Sequence, residues 1–285
     1  MKIRLVIFIF LICKISWASL VEVDPKCSCE ASKQRDPYET PVKFNFGKFH
    51  GLCVDSCRFR SITVLQPDPD KIDSAKVIKV SNFLHMEKYY IAEIPISSLT
   101  QISIGFEEFH PHVFHVVLRF DLGEKGQAIN LLDQTNQNSK AELIQTRSFV
   151  VSAEGVPPKD FPYGLVESYF GNYLLALRVL SIEEENRWVK KMNNTMTYKK
   201  LNLTEQQVQK MAKSALFQSH NNQMQSVYKL FTNNCATVAI ETIQSALKNT
   251  SVKADIIGYA DRGLSVRGPV GTNRFLLKNK LIEAF

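Results

Sequence analysis

Residues 228–247 read YKLFTNNCATVAIETIQSAL. Two asparagines precede Cys235, and Ala236, Ala239, Ile240, Ile243 and Leu247 follow it at helical spacing. Asn233 or Asn234 suits the N-cap, because an asparagine side chain accepts from the unpaired N–H groups of a first helical turn. Cys235 then stands in that turn, where those N–H groups and the positive end of the helix dipole favour a thiolate, the nucleophilic form. The plainer alternative is a structural thiol, since free cysteine is among the most buried residue types.

A cysteine nucleophile needs a base. Three of the six histidines cluster in residues 110–120, HPHVFHVVLRF. His110 and His112 flank a proline, as solvated loop residues do. His115 falls inside a strand pattern, on the face shared with Val113, Val117 and Arg119. A histidine among β-branched residues is costly unless it is bonded or working. The H-x-H spacing also suits a metal, but no nearby acid or thiolate completes such a site. A histidine in a strand and a later cysteine at a helix start correspond to a papain-type pair in permuted order, joined in space rather than in sequence.

The chain around this pair is predicted to be α+β. Short strand patterns occupy RSITVL (60–65), AKVIKV (75–80), KYYIAEI (88–94), HVFHVVLRFDL (112–122), QAINLL (127–132) and RSFVVSA (147–153). EGVPPKDFPYG (154–164) reads as a loop by its prolines and glycines. Helical character is expected beyond it. Ser181 with acidic residues after it opens one helix, Thr204 with Gln207 forms the capping box of another, and a short helix is expected from Thr272. GLVESYFGNYLLAL (164–177) supplies aromatic and aliphatic side chains for a core or an apolar groove.

The first residues are MKIRLVIFIFLICKISWAS. A basic start, an apolar run too short to span a bilayer and a small-x-small site ending at Ala18 read as a secretory signal peptide, residues 1–18. An uncleaved anchor is the lesser alternative. Without those residues the formal charge falls from +7 to +4. That mild excess suits an anionic membrane surface and gives no argument for nucleic acid. Of the remaining cysteines, Cys27, Cys29, Cys53 and Cys57 lie early and Cys235 late. In an oxidising compartment the four early ones are most simply two disulfides tying the CSC to the CVDSC segment, with connectivity left open. A four-thiolate zinc site is the rival. Either way Cys235 is left over.

FHVVLRF, then PYGLVESYFGNYLLALRV, then NRWV and YKKLNLTEQQV, then YKLFTNNCATVAI follow one another in an order that resembles the Lnb N-terminal periplasmic domain family. The resemblance covers about residues 105–250. That family is related to permuted NlpC/P60-like and lecithin-retinol-acyltransferase-like folds and includes bacterial lipoprotein N-acyltransferases. It implies a permuted papain/NlpC-like catalytic core, an antiparallel sheet packed on helices, over residues 105–285. A cysteine-bridged, β-rich extension would occupy residues 19–104. His115 matches the family histidine, Cys235 the family cysteine and Asn234 the residue before it; Phe114 stands where many members have glycine. No motif supplies the orienting third group. Glu154 is the candidate, with Asn130 and Asp133 as rivals, and Asn234 and Tyr228 are candidate substrate-binding residues. The implied activity is transfer of a fatty acyl chain, through a Cys235 thioester, to the N-terminal amine of lipoproteins. The acyl donor would be a phospholipid or the lipoprotein's own diacylglyceryl group, at a membrane surface in the bacterial periplasm, with no cofactor or metal. The alternatives are a cell-wall cysteine amidase or peptidase, a lipase-like thiol hydrolase, and a non-enzymatic envelope module.

Overall fold

A computed structural model describes residues 19–29, 36–110, 113–136, 143–247, 269–278 and 280–282. The expected signal peptide, residues 1–18, lies outside the described residues, as does His112. In chain order the elements are β1 (Val21–Val23), β2 (Val42–Phe44), β3 (Thr63–Gln66), β4 (Val77–His85), β5 (Lys88–Pro95), β6 (Leu99–His110), β7 (Val113–Leu122), β8 (Ile129–Asp133), β9 (Ile144–Thr146) and β10 (Ser148–Val156). Then come α1 (Leu165–Tyr169), β11 (Tyr173–Ser181), α2 (Ile182–Lys191), β12 (Thr195–Lys200), α3 (Glu205–Asn222), β13 (Val227–Tyr228), α4 (Cys235–Leu247) and α5 (Pro269–Lys278). Four short 3-10 turns punctuate the first half.

The architecture is α+β, as the sequence implies. A mixed sheet runs β12-β6-β7-β10-β11-β4-β5-β8-β9, with β13 added to β11 and β3 to β4. It is antiparallel except where β11 meets β4, a parallel junction centred on Leu180 and Leu84. The antiparallel sheet packed on helices that the resemblance implies is present, with this one parallel seam. The division expected after residue 104 falls inside β6, and the same sheet continues on both sides of it.

Strand alternation sorts the side chains onto two faces. Val116, Leu118 and Phe120 of β7 and Val151 and Ala153 of β10 join the main core, against Val208, Met211, Ala212 and Ala215 of α3 and Ala236, Ala239 and Ile243 of α4. Val117 and Val150 point the other way, into a smaller cluster that includes Leu180 and Ile182 at the start of α2. Helices α2 and α3 begin on side-chain caps. Ser181 accepts from the Glu184 N–H, and Thr204 with Gln207 forms the full capping box.

Three strands interrupt the helical character expected beyond residue 164: β11, β12 and the two-residue β13. β11 is buried along nearly its whole length, so its residues form a mostly apolar run, broken by Arg178, without the alternation that marks a half-buried strand. β12, TMTYKK, is a polar strand paired only with β6. β10 also runs three residues further than RSFVVSA, taking Glu154 and Gly155 out of the expected loop.

The early cysteines pair as Cys27–Cys53 and Cys29–Cys57. The bridged segment does not stand apart from the sheet. Lys159 donates from its backbone to the Cys53 carbonyl at 2.8 Å, Arg60 pairs with Asp36, and the Asn82 amide donates to the Tyr38 and Ser61 carbonyls.

Candidate active site

Register places a polar row across the sheet. Glu107 of β6 is directly opposite His115 of β7, and Arg178 of β11 is opposite Ser152 of β10. The β7–β10 register ends at Ser152 and Val117, and two residues further along both strands it sets Glu154 beside His115. Glu154 and Ser152 are two residues apart on one strand and so share a face. These are the side chains that the α2 face of the sheet leaves polar.

Cys235 comes to this row from α4. Asn234 is the N-cap: its side-chain oxygen accepts from the Ala236 and Thr237 N–H groups at 2.9 and 3.0 Å, and its amide donates to the Leu230 carbonyl at 2.6 Å. Of the two asparagines, Asn233 instead closes the preceding turn by donating to the Val227 carbonyl. Cys235 is the free cysteine among the described residues and is buried. Its sulfur interacts with the His115 ring through a side-chain hydrogen bond and by charge, and with the backbone N–H groups of Val116 and Ala236. The Tyr228 hydroxyl also bonds to it, and a second bond joins Tyr228 to Tyr163.

The His115 Nε2 lies 2.8 Å from the Ser152 hydroxyl, which leaves Nδ1 for the sulfur. Ser152 donates to Glu154 at 3.0 Å, and Arg178 forks onto both Glu154 oxygens from Nη1 at 2.7 and 2.9 Å. Glu154 therefore reaches His115 through Ser152 rather than by direct contact. Its rivals are elsewhere: Asp133 pairs with Lys88 at 2.6 Å, and Asn130 accepts from Gln145.

Charge distribution follows from this packing. Burial opposes a charged imidazole, but the Cys235 sulfur, Glu154 and Glu107 outweigh it and push His115 up to about 10. Burial also opposes a thiolate, yet His115 and the two backbone N–H groups hold Cys235 below the ordinary thiol value. The two shifts agree on one state, a thiolate beside an imidazolium. Against burial, Arg178, His115 and Ser152 keep Glu154 below the usual carboxylate range. Burial drives Tyr228 far above the usual phenol value, so it stays a neutral donor.

The pair opens onto a cavity of about 670 Å³. Phe59, Phe109, Phe114, Phe161, Trp188 and Met192 supply much of its apolar wall, and Glu107 and Glu185 add a polar side. Arg58 stacks over Trp188 at 4.9 Å. Sequence reasoning missed Ser152, Arg178, Glu107, Glu185 and Arg58. Ser152 had a signal, its two-residue offset from Glu154. Glu185 is masked by Glu183 and Glu184, a run that reads as ordinary first-turn acid. No cluster of His, Cys, Asp and Glu suited to a metal occurs among the described residues.

Fold and site together define an α+β protein with a buried thiol beside a half-buried imidazole at the foot of a mostly apolar cavity. The family described as the Lnb N-terminal periplasmic domain matches residues 115–279, more than half of the chain, and the chain belongs to it. Its first matched residue is His115, and Cys235 lies within the match. Arg58, Phe59, Glu107, Phe109 and Phe114 precede the match, so one wall of the cavity is built outside it. No curated protein and no solved structure matches the chain.

Proposed function

We propose that this chain is a thiol acyltransferase of the bacterial periplasm, working at a lipid surface to move a fatty acyl chain through Cys235 onto the N-terminal amine of a lipoprotein. One observation carries the reading: the Cys235–His115 pair stands at the foot of a cavity walled largely by aromatic and aliphatic side chains. A volume of about 670 Å³ is in the range of small-molecule sites.

The Cys235 thiolate attacks the carbonyl carbon of an acyl ester. The ester C–O bond breaks, and the His115 imidazolium passes its proton to the leaving alcohol oxygen, leaving an acyl thioester and neutral His115. The N–H groups of Val116 and Ala236 and the Tyr228 hydroxyl surround the sulfur, where a developing oxyanion gains from fixed donors. Ser152, Glu154 and Arg178 position the imidazole. The apolar wall limits water, favouring transfer to an amine over hydrolysis.

The lipid surface is supported by an exposed apolar cluster at the cavity rim. Phe161 and Tyr163 line the cavity and are themselves exposed; Tyr169, Phe170 and Phe231 continue outward, with Tyr169 packed edge-on to both neighbours at 5.1 and 5.6 Å. Phe170 keeps 70% of its surface exposed despite its contact with Tyr169. No helix among the described residues is long and apolar enough to cross a membrane.

The test is expression in a bacterial strain depleted of its own lipoprotein N-acyltransferase, read by mass spectrometry of lipoprotein N-termini. An added fatty acyl mass with the native chain, absent with Cys235→Ala and His115→Ala, supports the proposal. Cleavage of peptidoglycan peptides with unchanged lipoprotein masses would replace it with the amidase reading.

A further inference from the structure

Glu185 sits in the first turn of α2 and is 4% exposed, yet it lines the cavity. Glu154 is neutralised by Arg178, and Glu107 accepts from the Asn194 amide at 2.6 Å. Glu185 has neither a hydrogen bond nor an ion pair among the described residues. A buried carboxylate without a partner is costly, and nothing in the packing of α2 requires one: Ser181 already caps the helix, and Glu184 already binds Arg187 at 2.6 Å. With Trp188 and Met192 it forms one helical stripe along the cavity wall.

We infer that Glu185 is the binding group and proton acceptor for the primary amine of the acyl acceptor, held in the cavity opposite the Cys235 thioester. The inference rests on the acyl-transfer reading above and assigns its second half. A carboxylate facing a cavity near an electrophilic thioester is complementary to an ammonium group, through a charge-assisted hydrogen bond. The ammonium must lose a proton before its nitrogen can attack. Burial, opposed by His115 and reinforced by Glu107 and Glu154, pushes Glu185 up to about 7, where a carboxylate is a more effective base.

The step balances as follows. Glu185 takes one proton from the ammonium. The freed amine attacks the thioester carbonyl, and the C–S bond breaks. Neutral His115 takes the second amine proton, so an amide forms and the thiolate–imidazolium pair returns. Glu185 then releases its proton to solvent. The charged and titratable groups facing Glu185 are His115 on β7, Glu107 on β6, Glu154 on β10, Arg178 on β11 and Tyr198 on β12.

Two measurements on the chain lacking residues 1–18 test this. The first uses Cys235→Ala protein, which does no chemistry, and compares binding of a synthetic diacylglyceryl-cysteine peptide with its N-acetylated form. The free amine should bind at least tenfold more tightly, and adding Glu185→Gln should remove that difference. Glu185→Gln keeps the shape and removes a costly buried charge, so its unfolding midpoint should not fall. The second loads the thiol from an activated fatty acyl ester and follows consumption of each acyl-enzyme by the same peptide. Glu185→Gln should slow aminolysis about 10- to 100-fold and shift its pH profile, while Glu185→Asp should recover part of the rate. Equal binding of free and acetylated peptides, or aminolysis at the native rate in Glu185→Gln, overturns the inference. A native chain that never forms an acyl-enzyme overturns the acyl-transfer reading instead, and an amine preference in the binding measurement would then survive by itself.

Discussion

Nε2 of His115 is 2.8 Å from the hydroxyl of Ser152, and that serine stands between the imidazole and the carboxylate of Glu154. A hydroxyl donates to Glu154 while accepting from the ring, so it fixes both the tautomer and the rotation of His115. Ser152 is therefore a positioning residue whose effect is transmitted through His115.

Ser152→Ala should reduce turnover by about 10- to 100-fold, a part of the 10²- to 10⁴-fold that positioned acid–base groups contribute. Ser152→Thr, which keeps the hydroxyl, should recover some of it. The distinguishing readout is the pH profile of acyl-enzyme formation, whose limbs move only if His115 has been altered. A merely structural role would lower the amount of folded protein and leave the profile in place.

Acyl-enzyme formation should be bell-shaped in pH. It rises as Cys235 ionises, below the pH at which an unperturbed thiol does, because His115 holds that value down against burial. It falls near pH 10, where His115 loses the proton that the leaving alcohol requires. Alkylation of Cys235 by iodoacetamide should follow the first limb alone. In His115→Ala, burial acts unopposed by the imidazolium and the limb should move to higher pH; an unmoved limb would mean that His115 does not share charge with the thiol.

Gly155 leaves room for two rings. A Cβ there would come within 3.0 Å of Tyr163 and 3.1 Å of Tyr228. Gly155→Ala should displace Tyr228 from the sulfur, costing about 1–3 kcal/mol of stability as overpacking does. Turnover should fall further than stability, measured by chemical denaturation alongside single-turnover acylation.

The two disulfides close spans of 26 and 28 residues. Loop entropy gives about 3.5 kcal/mol for the first of them closed. Thiol counting on the denatured chain lacking residues 1–18 should find one free thiol, Cys235, rising to five on reduction. Because Arg58 and Phe59 follow Cys57 directly and line the cavity, reduction should impair acyl-enzyme formation as well as stability.

Phe170→Glu together with Phe231→Glu should weaken sedimentation with anionic phospholipid vesicles by roughly 100-fold or more, since a buried ring is worth about 1.5–3 kcal/mol. Acylation from a short, water-soluble ester should persist in this variant. Undiminished vesicle binding would remove the rim cluster as the lipid-contacting surface.

What the sequence determined by itself is local. Cys235 at a helix start, the Thr204–Gln207 box, the alternation of β7 and the separation of four early cysteines from a late one are each set by residues a few positions apart. Spacing expresses such relations directly, through the periods of helix and strand and the reach of a capping side chain. The tertiary structure decided what depends on which strands lie side by side. Ser152 meets His115, and Arg178 meets Glu154, because β10 lies between β7 and β11 in one register. Glu185 belongs to the cavity because α2 covers that face of the sheet, and Arg58 because two disulfides and the Arg60–Asp36 pair hold its segment against it. β11 escaped recognition for the same reason: buried on both faces by its neighbours, it carries no period that reveals which element it is. Register and burial are properties of the neighbours a residue acquires on folding, and no pattern within one segment encodes them.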